Sequence, residues 1–262
     1  MKTVAFIGTG NMGSALARAA ARSGAADRLL LANRTPEKAQ KLAAEIGGEV
    51  CDNRTAAAEA DVLFLGVKPQ MLETMLDGIR DVLASREDRL LIVSMVAGKD
   101  LATLDRLLGG LPVIRVMPNI PVSVGCGFTM LVPSGKVTEG EKAFVRTLLA
   151  ASGTVQETDE HMMDAANGVT GCGPAFAAMF VESLADGAVA VGLPRKDAYA
   201  YAARMLIGTG ELLLKTGEHP GALKDRVCSP GGSTIQGVRT LEQRGFRAAV
   251  TDAVIATFEK KF

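Results

Sequence analysis

Residues 3–13 read TVAFIGTGNMG, and this stretch decides the fold. A short apolar run, typical of a buried β-strand, leads directly into the GxGxxG fingerprint formed by Gly8, Gly10 and Gly13. The first glycine permits a tight turn, the second lets a pyrophosphate approach the backbone, and the third lets a helix pack closely on the strand. A helix that opens at this turn also offers free N–H groups to phosphates. We therefore predict a dinucleotide-binding loop that comprises Gly8, Gly10, Asn11, Met12 and Gly13.

Further short apolar runs follow this stretch and alternate with segments of helical length and periodicity. Such continuous apolar runs are typical of strands that are buried on both faces of a parallel sheet. Thr35-Pro36-Glu37 indicates the start of one intervening helix, because it combines a capping hydroxyl, a proline at the first helical position and an acid in the first turn. The pattern predicts repeated βαβ units, hence an α/β Rossmann domain with a doubly wound parallel sheet. Its strands are expected at residues 3–7, 29–32, 62–67, 90–94 and 113–117.

After about Gln156 the strand signals stop and the sequence reads as helix. We therefore predict a Rossmann domain at residues 1–156 and an all-α domain at residues 157–262. The long helix at residues 175–191 carries only Glu182 and Asp186 as charges, so it lacks a polar face. A helix of this kind in a soluble protein is usually covered by a partner, and we expect a homodimer built through this domain.

Charge and composition limit the partners that the chain can take. Lys plus Arg and Asp plus Glu each number 29, so no net charge favours nucleic acid or an anionic membrane. The first residues resemble neither a secretory signal nor a transit peptide, and no apolar stretch approaches the roughly 18 residues of a membrane span. The four cysteines lack the spacing of a zinc site or a disulfide framework. We expect a cytoplasmic protein that acts on a small molecule without a metal ion.

The choice of cofactor is made at the end of the second strand, where an acid would bind the ribose 2′-OH of NAD. Asn33, Arg34 and Thr35 occupy this place, and none of them is an acid. Arg34 can clamp a 2′-phosphate bidentately, while Asn33 and Thr35 can add hydrogen bonds. The sequence therefore predicts NADPH, with NADH still possible because an arginine does not forbid a cofactor that lacks the phosphate.

Two further turns follow later strands of the predicted sheet. Val67, Lys68 and Pro69 come after one strand and are expected to border the adenosine half of the cofactor. The small residues of Ser94-Met95-Val96-Ala97-Gly98, after the next strand, would admit the nicotinamide end.

A second glycine-rich turn lies in the helical half, where Ser229-Pro230-Gly231-Gly232-Ser233-Thr234 leads into a helix predicted at residues 234–243. Backbone N–H groups that converge at a helix N-terminus suit a small anion such as a carboxylate. The turn therefore predicts a substrate site. A Pro-Gly-Gly linker capped by Ser233 or Thr234 accounts for the same residues, so this pattern by itself leaves both interpretations open.

The two turns and their spacing make the chain resemble the pyrroline-5-carboxylate reductase family from end to end. The Ser-Pro-Gly-Gly-x-Thr turn in a helical C-terminal domain is the specific part of this resemblance, because GxGxxG alone is shared by many dehydrogenases. The stretches that carry it are residues 8–13, 67–70, 115–119, 171–175, 219–220, 223–225 and 229–234.

The resemblance implies NADPH-dependent reduction of a cyclic imino acid to proline, by hydride transfer to the C=N carbon. It also implies a Rossmann domain followed by a helical dimerisation domain. By matching position, Ser229, Gly231, Gly232, Ser233 and Thr234 would bind the substrate, with the Thr234 hydroxyl near the ring nitrogen as the catalytic group. Asn53 matches a position near the cofactor ribose, and Ala97 matches one near the nicotinamide.

Four positions depart from the pattern of the family. Thr170 and Cys172 stand where serines are common, Phe176 where tyrosine is frequent, and Cys228 where threonine is frequent. Phe176 keeps the ring but lacks the hydroxyl, so the resemblance carries over neither a proton relay at this position nor an identical substrate preference.

Three alternatives follow from the same residues. An NADPH-dependent imine reductase of wider scope fits the departures at Cys172 and Phe176. A non-catalytic NADPH-binding protein predicts decay of the second turn, yet that turn is intact. A β-hydroxyacid dehydrogenase would need a lysine on the interdomain helix, and residues 173–192 contain none.

Overall fold

The computed structural model of the protein describes residues 2–259. The chain divides into two compact units, the first ending at Gly171 and the second beginning at Cys172.

The first unit is built on an eight-stranded sheet with the order β3-β2-β1-β4-β5-β6-β7-β8. Neighbouring strands from β3 to β6 in this order are parallel, β7 is antiparallel to β6, and β8 is parallel to β7. The strands are β1 (Thr3–Ile7), β2 (Arg28–Ala32), β3 (Glu49–Val50), β4 (Val62–Leu65), β5 (Leu91–Ser94), β6 (Val113–Pro118), β7 (Gly127–Pro133) and β8 (Gly153–Glu157).

Helices cover both faces of this sheet. Because side chains alternate along a strand, Val4 and Phe6 of β1 pack in one core while Ala5 and Ile7 pack in the other. Helices α1, α2 and α7 complete the first core, and α3, α4 and α6 complete the second. The helices of this unit are α1 (Asn11–Ser23), α2 (Pro36–Ile46), α3 (Asn53–Glu59), α4 (Leu72–Asp77), α5 (Arg80–Ala84), α6 (Leu101–Leu107), α7 (Glu139–Leu149) and α8 (Glu160–Thr170).

The doubly wound sheet is confirmed, with corrections to its elements. Strands β3, β7 and β8 were not predicted: β3 has only two residues, and β8 reads Gly-Thr-Val-Gln-Glu without an apolar run. Helix α2 does begin at Pro36 with Thr35 at the N-cap, but the Thr35 side chain makes no capping hydrogen bond.

The two compact units divide after Gly171, whereas the predicted domain boundary lies at residues 156 and 157. Helix α8 lies between these two positions and packs on the sheet. Its first residue, Glu160, accepts hydrogen bonds from the backbone N–H of Leu101 at 2.7 Å and from Arg115 Nη1 at 3.1 Å. At its other end, Asn119 Nδ2 donates to the carbonyl of Thr170 at 2.9 Å. Both ends of α8 are thus fixed to β6 or to the residue that follows it. The second compact unit starts only after this helix.

Replacing Glu160 by glutamine is expected to destabilise the fold by about 2 kcal/mol. The Arg115 side chain is only 5% exposed, so removing the charge of its partner leaves a buried guanidinium poorly compensated. Asp164→Asn is the matched control, since its carboxylate is 3.8 Å from Arg115 and 72% exposed. Urea unfolding of the two variants checks this, and equal midpoints for Glu160→Gln and Asp164→Asn would contradict the role of the Glu160 pair.

A second structural prediction concerns pH. Glu141 closes a capping box with Thr138 at the start of α7, and Arg89 binds both of its carboxylate oxygens at 2.7 and 2.9 Å. Hydrogen bonding to the Arg89 guanidinium is the main cause that lowers the pKa of Glu141 from 4.5 to about 2, and the bonds to Thr138 contribute to the same shift. Because the folded pKa is depressed, this stabilisation is present above about pH 4.5 and is lost as the pH falls toward 2.

We expect Glu141→Gln to lower the free energy of unfolding by about 1–2 kcal/mol at neutral pH, the size of a lost charge-assisted capping bond. The difference from the parent protein should shrink steadily as the pH falls from 4.5 to 2. Denaturant titrations across this window measure it. A difference that stays constant with pH would show that the Glu141 carboxylate does not act through its charge.

The second unit is helical throughout residues 173–259, apart from short connections. It comprises α9 (Gly173–Ala190), α10 (Arg195–Thr216), α11 (Pro220–Val227), α12 (Ser233–Gln243) and α13 (Phe246–Glu259). Only Ala185 is fully buried on α9, whereas Met179 is 65% exposed, and Leu214 of α10 is 82% exposed. Apolar side chains on several helices therefore lie uncovered in the single chain, as the predicted dimer would require.

The sequence predicts no apolar stretch long enough to span a membrane, but one helical run in the structure reaches that length. Within Glu160–Ala190, an 18-residue window has a mean hydropathy of 1.2 and is only 11% buried. By length and composition alone this run could cross a membrane. A helix that packs against a partner subunit has the same composition, so the run is weak evidence for a membrane span.

Candidate functional site

The residues predicted to bind the cofactor lie at one edge of the first unit's sheet. Because β1 to β5 are parallel, their carboxyl ends meet at this edge. Each predicted segment follows one of these ends: the fingerprint follows β1, Asn33-Arg34-Thr35 follows β2, Asn53 follows β3 as the first residue of α3, Val67-Lys68-Pro69 follows β4, and Ala97 follows β5.

Two glycines of the fingerprint are required by the packing of the protein itself. Gly8 has a φ of +99°, and a Cβ on it would lie 2.6 Å from the carbonyl oxygen of Gly66. A Cβ on Gly13 would lie 2.0 Å from the carbonyl oxygen of Gly8. Side chains at these positions would push α1 and β4 away from β1. The Gly8 contact also places Val67 directly beside the fingerprint, since the same Cβ would lie 3.1 Å from the Val67 nitrogen.

Gly10 differs, because no protein atom lies within 4 Å of the position its Cβ would take. It is the N-cap of α1, and the first helical bond runs from the N–H of Ser14 to the Gly10 carbonyl at 2.8 Å. The N–H groups of Asn11, Met12 and Gly13 precede this bond and have no acceptor within the helix. The open space and these donors fit a dinucleotide pyrophosphate.

A buried hydroxyl beside the fingerprint also lacks a partner. Thr9 is 2% exposed, and within residues 2–259 its Oγ1 has no hydrogen-bond partner. An unpaired polar atom in the wall of a cleft fits a site that takes a polar ligand.

Asn33 holds two loops together, which sequence reasoning did not foresee. Its Oδ1 accepts a hydrogen bond from the Thr9 N–H at 3.1 Å, and its Nδ2 donates to the Thr35 carbonyl at 2.9 Å. The carboxamide is therefore largely used inside the protein, and it fixes the β2 end beside the fingerprint. Arg34 is exposed and makes no ion pair within residues 2–259, so its guanidinium is available to a phosphate.

A cleft of about 460 Å³ adjoins the fingerprint between α1, α2 and a short 3₁₀ turn at Ile120–Val124. Gly10, Asn11 and Met12 form one wall, and Lys38 and Lys41 of α2 form another. Sequence reasoning missed both lysines. Their spacing of three along a helix that starts at Pro36 was the available signal, because residues three apart share a helix face.

The second glycine-rich turn has the geometry that its sequence predicts. Gly231 has a φ of +71°, and the N–H of Gly232 donates to the Ser229 carbonyl at 3.0 Å. A Cβ on Gly232 would lie 2.4 Å from Ser229 Oγ and 3.2 Å from the Ser229 carbonyl oxygen, so a side chain here would require the Ser229 hydroxyl to rotate away. Gly232 is the N-cap of α12, which begins at Ser233, one residue earlier than predicted.

This geometry changes the set of donors expected for a carboxylate. The Gly232 N–H is used within the turn, so the groups left for an anion are the N–H groups of Gly231, Ser233 and Thr234. Ser233 and Thr234 are exposed at the start of α12, which places the Thr234 hydroxyl at the same surface. The residues predicted to bind the cofactor thus lie in the first unit, and those predicted to bind the substrate lie in one turn of the second.

The Cys51 thiol, close in sequence to the predicted cofactor residue Asn53, offers no competing nucleophile. Burial, above all, raises the pKa of the Cys51 thiol to about 11, which keeps it protonated and unreactive at neutral pH. Within residues 2–259, no group of three or more His, Cys, Asp or Glu side chains could hold a metal ion.

Comparison with known proteins identifies relatives over the whole chain. Residues 160–261 match the family described as pyrroline-5-carboxylate reductase dimerisation, and residues 3–98 match the family described as NADP oxidoreductase, coenzyme F420-dependent. The pyrroline-5-carboxylate reductase of Escherichia coli is 39% identical over 263 residues, which cover 99% of this chain and 97% of that protein.

Solved structures agree with this similarity. A pyrroline-5-carboxylate reductase from Coxiella burnetii superposes with a TM-score of 0.88 at 28% identity, covering 98% of this chain and 96% of that one. The Plasmodium falciparum pyrroline carboxylate reductase, solved with NADP bound, gives a TM-score of 0.86 at 29% identity over the same shares.

Proposed function

The chain belongs to the pyrroline-5-carboxylate reductase family, and from that premise we propose that it reduces 1-pyrroline-5-carboxylate to L-proline, the last step of proline synthesis. The observation that carries this proposal is the pairing of two intact glycine-rich turns. One has open space and free N–H groups at Gly10, and the other presents the N–H groups of Ser233 and Thr234 at a helix start.

The cofactor is NADPH. Arg34 supplies a cation where NAD-specific enzymes have an acid, and the fingerprint offers its N–H groups to the pyrophosphate. Val67, Lys68 and Pro69 border the adenosine, Asn53 the ribose and Ala97 the nicotinamide. NADH remains usable with lower affinity, because the pyrophosphate contacts do not depend on the 2′-phosphate.

The residues of this chain bind and orient the substrate. Bound NADPH supplies the hydride that reduces the imine carbon. The N–H groups of Gly231, Ser233 and Thr234 hold the carboxylate, and the helix dipole of α12 favours its negative charge. Thr234 is the catalytic residue, whose hydroxyl contacts the ring nitrogen and supports proton transfer there.

Little further acid–base chemistry is required. A protonated imine is already an electrophile, so positioning supplies most of the rate. The absence of a hydroxyl on Phe176 is compatible with such a mechanism.

The second unit forms a homodimer, and we propose that higher oligomers build on it. The matched dimerisation family covers residues 160–261, the same part of the chain whose apolar helices lie uncovered.

We also propose that the protein acts in the cytoplasm without nucleic acid or a membrane, and that the partner subunit covers the apolar run in Glu160–Ala190. Purification without detergent, followed by light scattering, tests both points. Recovery only in a detergent extract would contradict them.

An imine reductase of wider scope is the second candidate. Phe176 lacks a hydroxyl and Cys172 carries a thiol instead of one, and both residues stand at the start of α9, where the family commonly carries hydroxyls. These two differences favour the enzyme of wider scope. A non-catalytic NADPH-binding role has no such support, since the second turn is intact.

Loss of NADPH absorbance separates these candidates. The purified protein is given pyrroline-5-carboxylate, its six-membered homologue and an acyclic imine, with a 3-hydroxyacid and NADP⁺ as a further control. Fast turnover of the five-membered substrate alone supports the proposed reductase. Comparable turnover of all imines would favour the wider enzyme, and NADPH binding without any turnover would overturn catalysis.

A further inference from the structure

The cleft beside the fingerprint carries an unbalanced positive charge. Its charged lining residues are Arg18, Lys38 and Lys41, and no carboxylate lines it. Arg18 is neutralised by Glu45, which accepts from Nε at 2.6 Å and from Nη2 at 2.7 Å. Lys38 and Lys41 make no ion pair within residues 2–259. Glu45 also interacts electrostatically with Lys41, but its one negative charge is already paired with Arg18, so a net positive charge stays on Lys38 and Lys41.

The position of the lysines fixes what they can reach. Lys38 is the third residue of α2, in its first turn near the positive end of the helix dipole, and Lys41 lies three residues further along the same face. Across the cleft lie Gly10, Asn11 and Met12, where the pyrophosphate is expected. A ligand that begins at the fingerprint and carries a second anionic group toward α2 matches this arrangement.

The β2 end directs the cofactor's ribose to the same place. Asn33 ties this end to the fingerprint through the Thr9 N–H at 3.1 Å, and α2 starts at Pro36, directly after the N-cap Thr35. In a Rossmann fold, the adenosine ribose lies at this strand end. A phosphate on its 2′-oxygen would therefore face the first turns of α2. Asn33 uses its Oδ1 and one Nδ2 hydrogen in internal bonds, and no neutral group can balance the charge of that phosphate, which requires cations.

We propose that Lys38 and Lys41, together with Arg34, form the 2′-phosphate subsite and determine the preference for NADPH over NADH. The inference rests on the proposed function for the identity of the cofactor. It adds two residues that the sequence pattern did not identify. A phosphate monoester is a dianion at neutral pH and takes more than one cation, so Arg34 alone does not satisfy it.

The test compares the dissociation constants of NADPH and NADH by calorimetric titration. The variants are Lys38→Ala, Lys41→Ala and the double substitution, with Gln40→Ala as the matched control, because Gln40 is exposed on the same helix and does not line the cleft. We expect each lysine variant to weaken NADPH about tenfold, as the loss of one charge-assisted phosphate contact does. The dissociation constant of NADH should change much less, so the ratio of the NADH constant to the NADPH constant should fall toward one. Lys38→Arg should keep most of the preference.

Two results would overturn the proposal: NADPH affinity unchanged in the double variant, or equal weakening of NADPH and NADH. Binding of 2′-AMP against 5′-AMP adds a fragment control, since only the former carries the phosphate in question. These titrations need no imine substrate. If the parent protein fails to reduce pyrroline-5-carboxylate but the lysine variants lose the preference for NADPH, the proposed reaction is refuted and the subsite stands. If the parent protein turns over this substrate but the variants keep the preference, the reaction stands and the subsite is refuted.

Discussion

Gly13→Ala is expected to destabilise the first unit strongly, while Gly10→Ala is expected to fold normally and to bind the cofactor far more weakly. A methyl group on Gly13 would lie 2.0 Å from the Gly8 carbonyl oxygen, inside the contact between α1 and β1. Backbone atoms on both sides must then move, at a cost on the order of 3 kcal/mol or more. Thermal unfolding should show a large loss of stability for this variant.

Gly10→Ala is its matched partner. The φ of Gly10 is −71°, which alanine adopts, and no protein atom lies within 4 Å of the new methyl group. We expect a stability change of less than about 1 kcal/mol, but roughly 100-fold weaker NADPH, because the methyl group occupies the space of the pyrophosphate. Titration with NADPH measures it. Parent-like NADPH affinity in Gly10→Ala, or parent-like stability in Gly13→Ala, would show that the fingerprint is assigned wrongly.

Thr234→Ala is expected to lower kcat about 100-fold with no change in NADPH affinity, the size of a lost proton-transfer contact. Thr234 is exposed near the start of α12, so the substitution should change stability by less than about 0.5 kcal/mol. Thr234→Ser keeps the hydroxyl and should restore most of the rate. Steady-state kinetics with the imino acid separates kcat from KM.

The control for this prediction is the neighbouring hydroxyl. Ser233→Ala removes a side chain but keeps the backbone N–H that is proposed to hold the carboxylate, so its effect should be much smaller. If Ser233→Ala and Thr234→Ala lose the same activity, or if Thr234→Ser is as slow as Thr234→Ala, the Thr234 hydroxyl does not contact the reacting nitrogen.

The first turn could be predicted because its chemistry is local. GxGxxG between an apolar run and a helix determines where a chain bends and where N–H groups point, and the structure places Gly8, Gly10 and Gly13 accordingly. What the pattern could not distinguish is why each glycine is present. Gly8 and Gly13 face protein backbone, whereas Gly10 faces open space, and this depends on the approach of β4 and Gly66.

The residues that were missed depend on contacts between distant parts of the chain. Asn33 bonds to Thr9 only because β1 and β2 pair in the observed register. Lys38 and Lys41 face the fingerprint because of the rotation of α2, which a one-dimensional pattern does not contain. Likewise, the position of α8 on the sheet follows from Arg115, a buried cation whose partner Glu160 is 45 residues away.

The most direct measurement compares pyrroline-5-carboxylate with 1-pyrroline, which has the same ring and imine but no carboxylate, at saturating NADPH. If the second turn binds the carboxylate, kcat/KM for 1-pyrroline should be lower by about three orders of magnitude in the parent protein, since two or more charge-assisted hydrogen bonds are lost. The account predicts this gap between the two imines in the same protein with the same bound cofactor. Equal kcat/KM values for the two imines would contradict the assignment of Ser229-Pro230-Gly231-Gly232-Ser233-Thr234 as the substrate site.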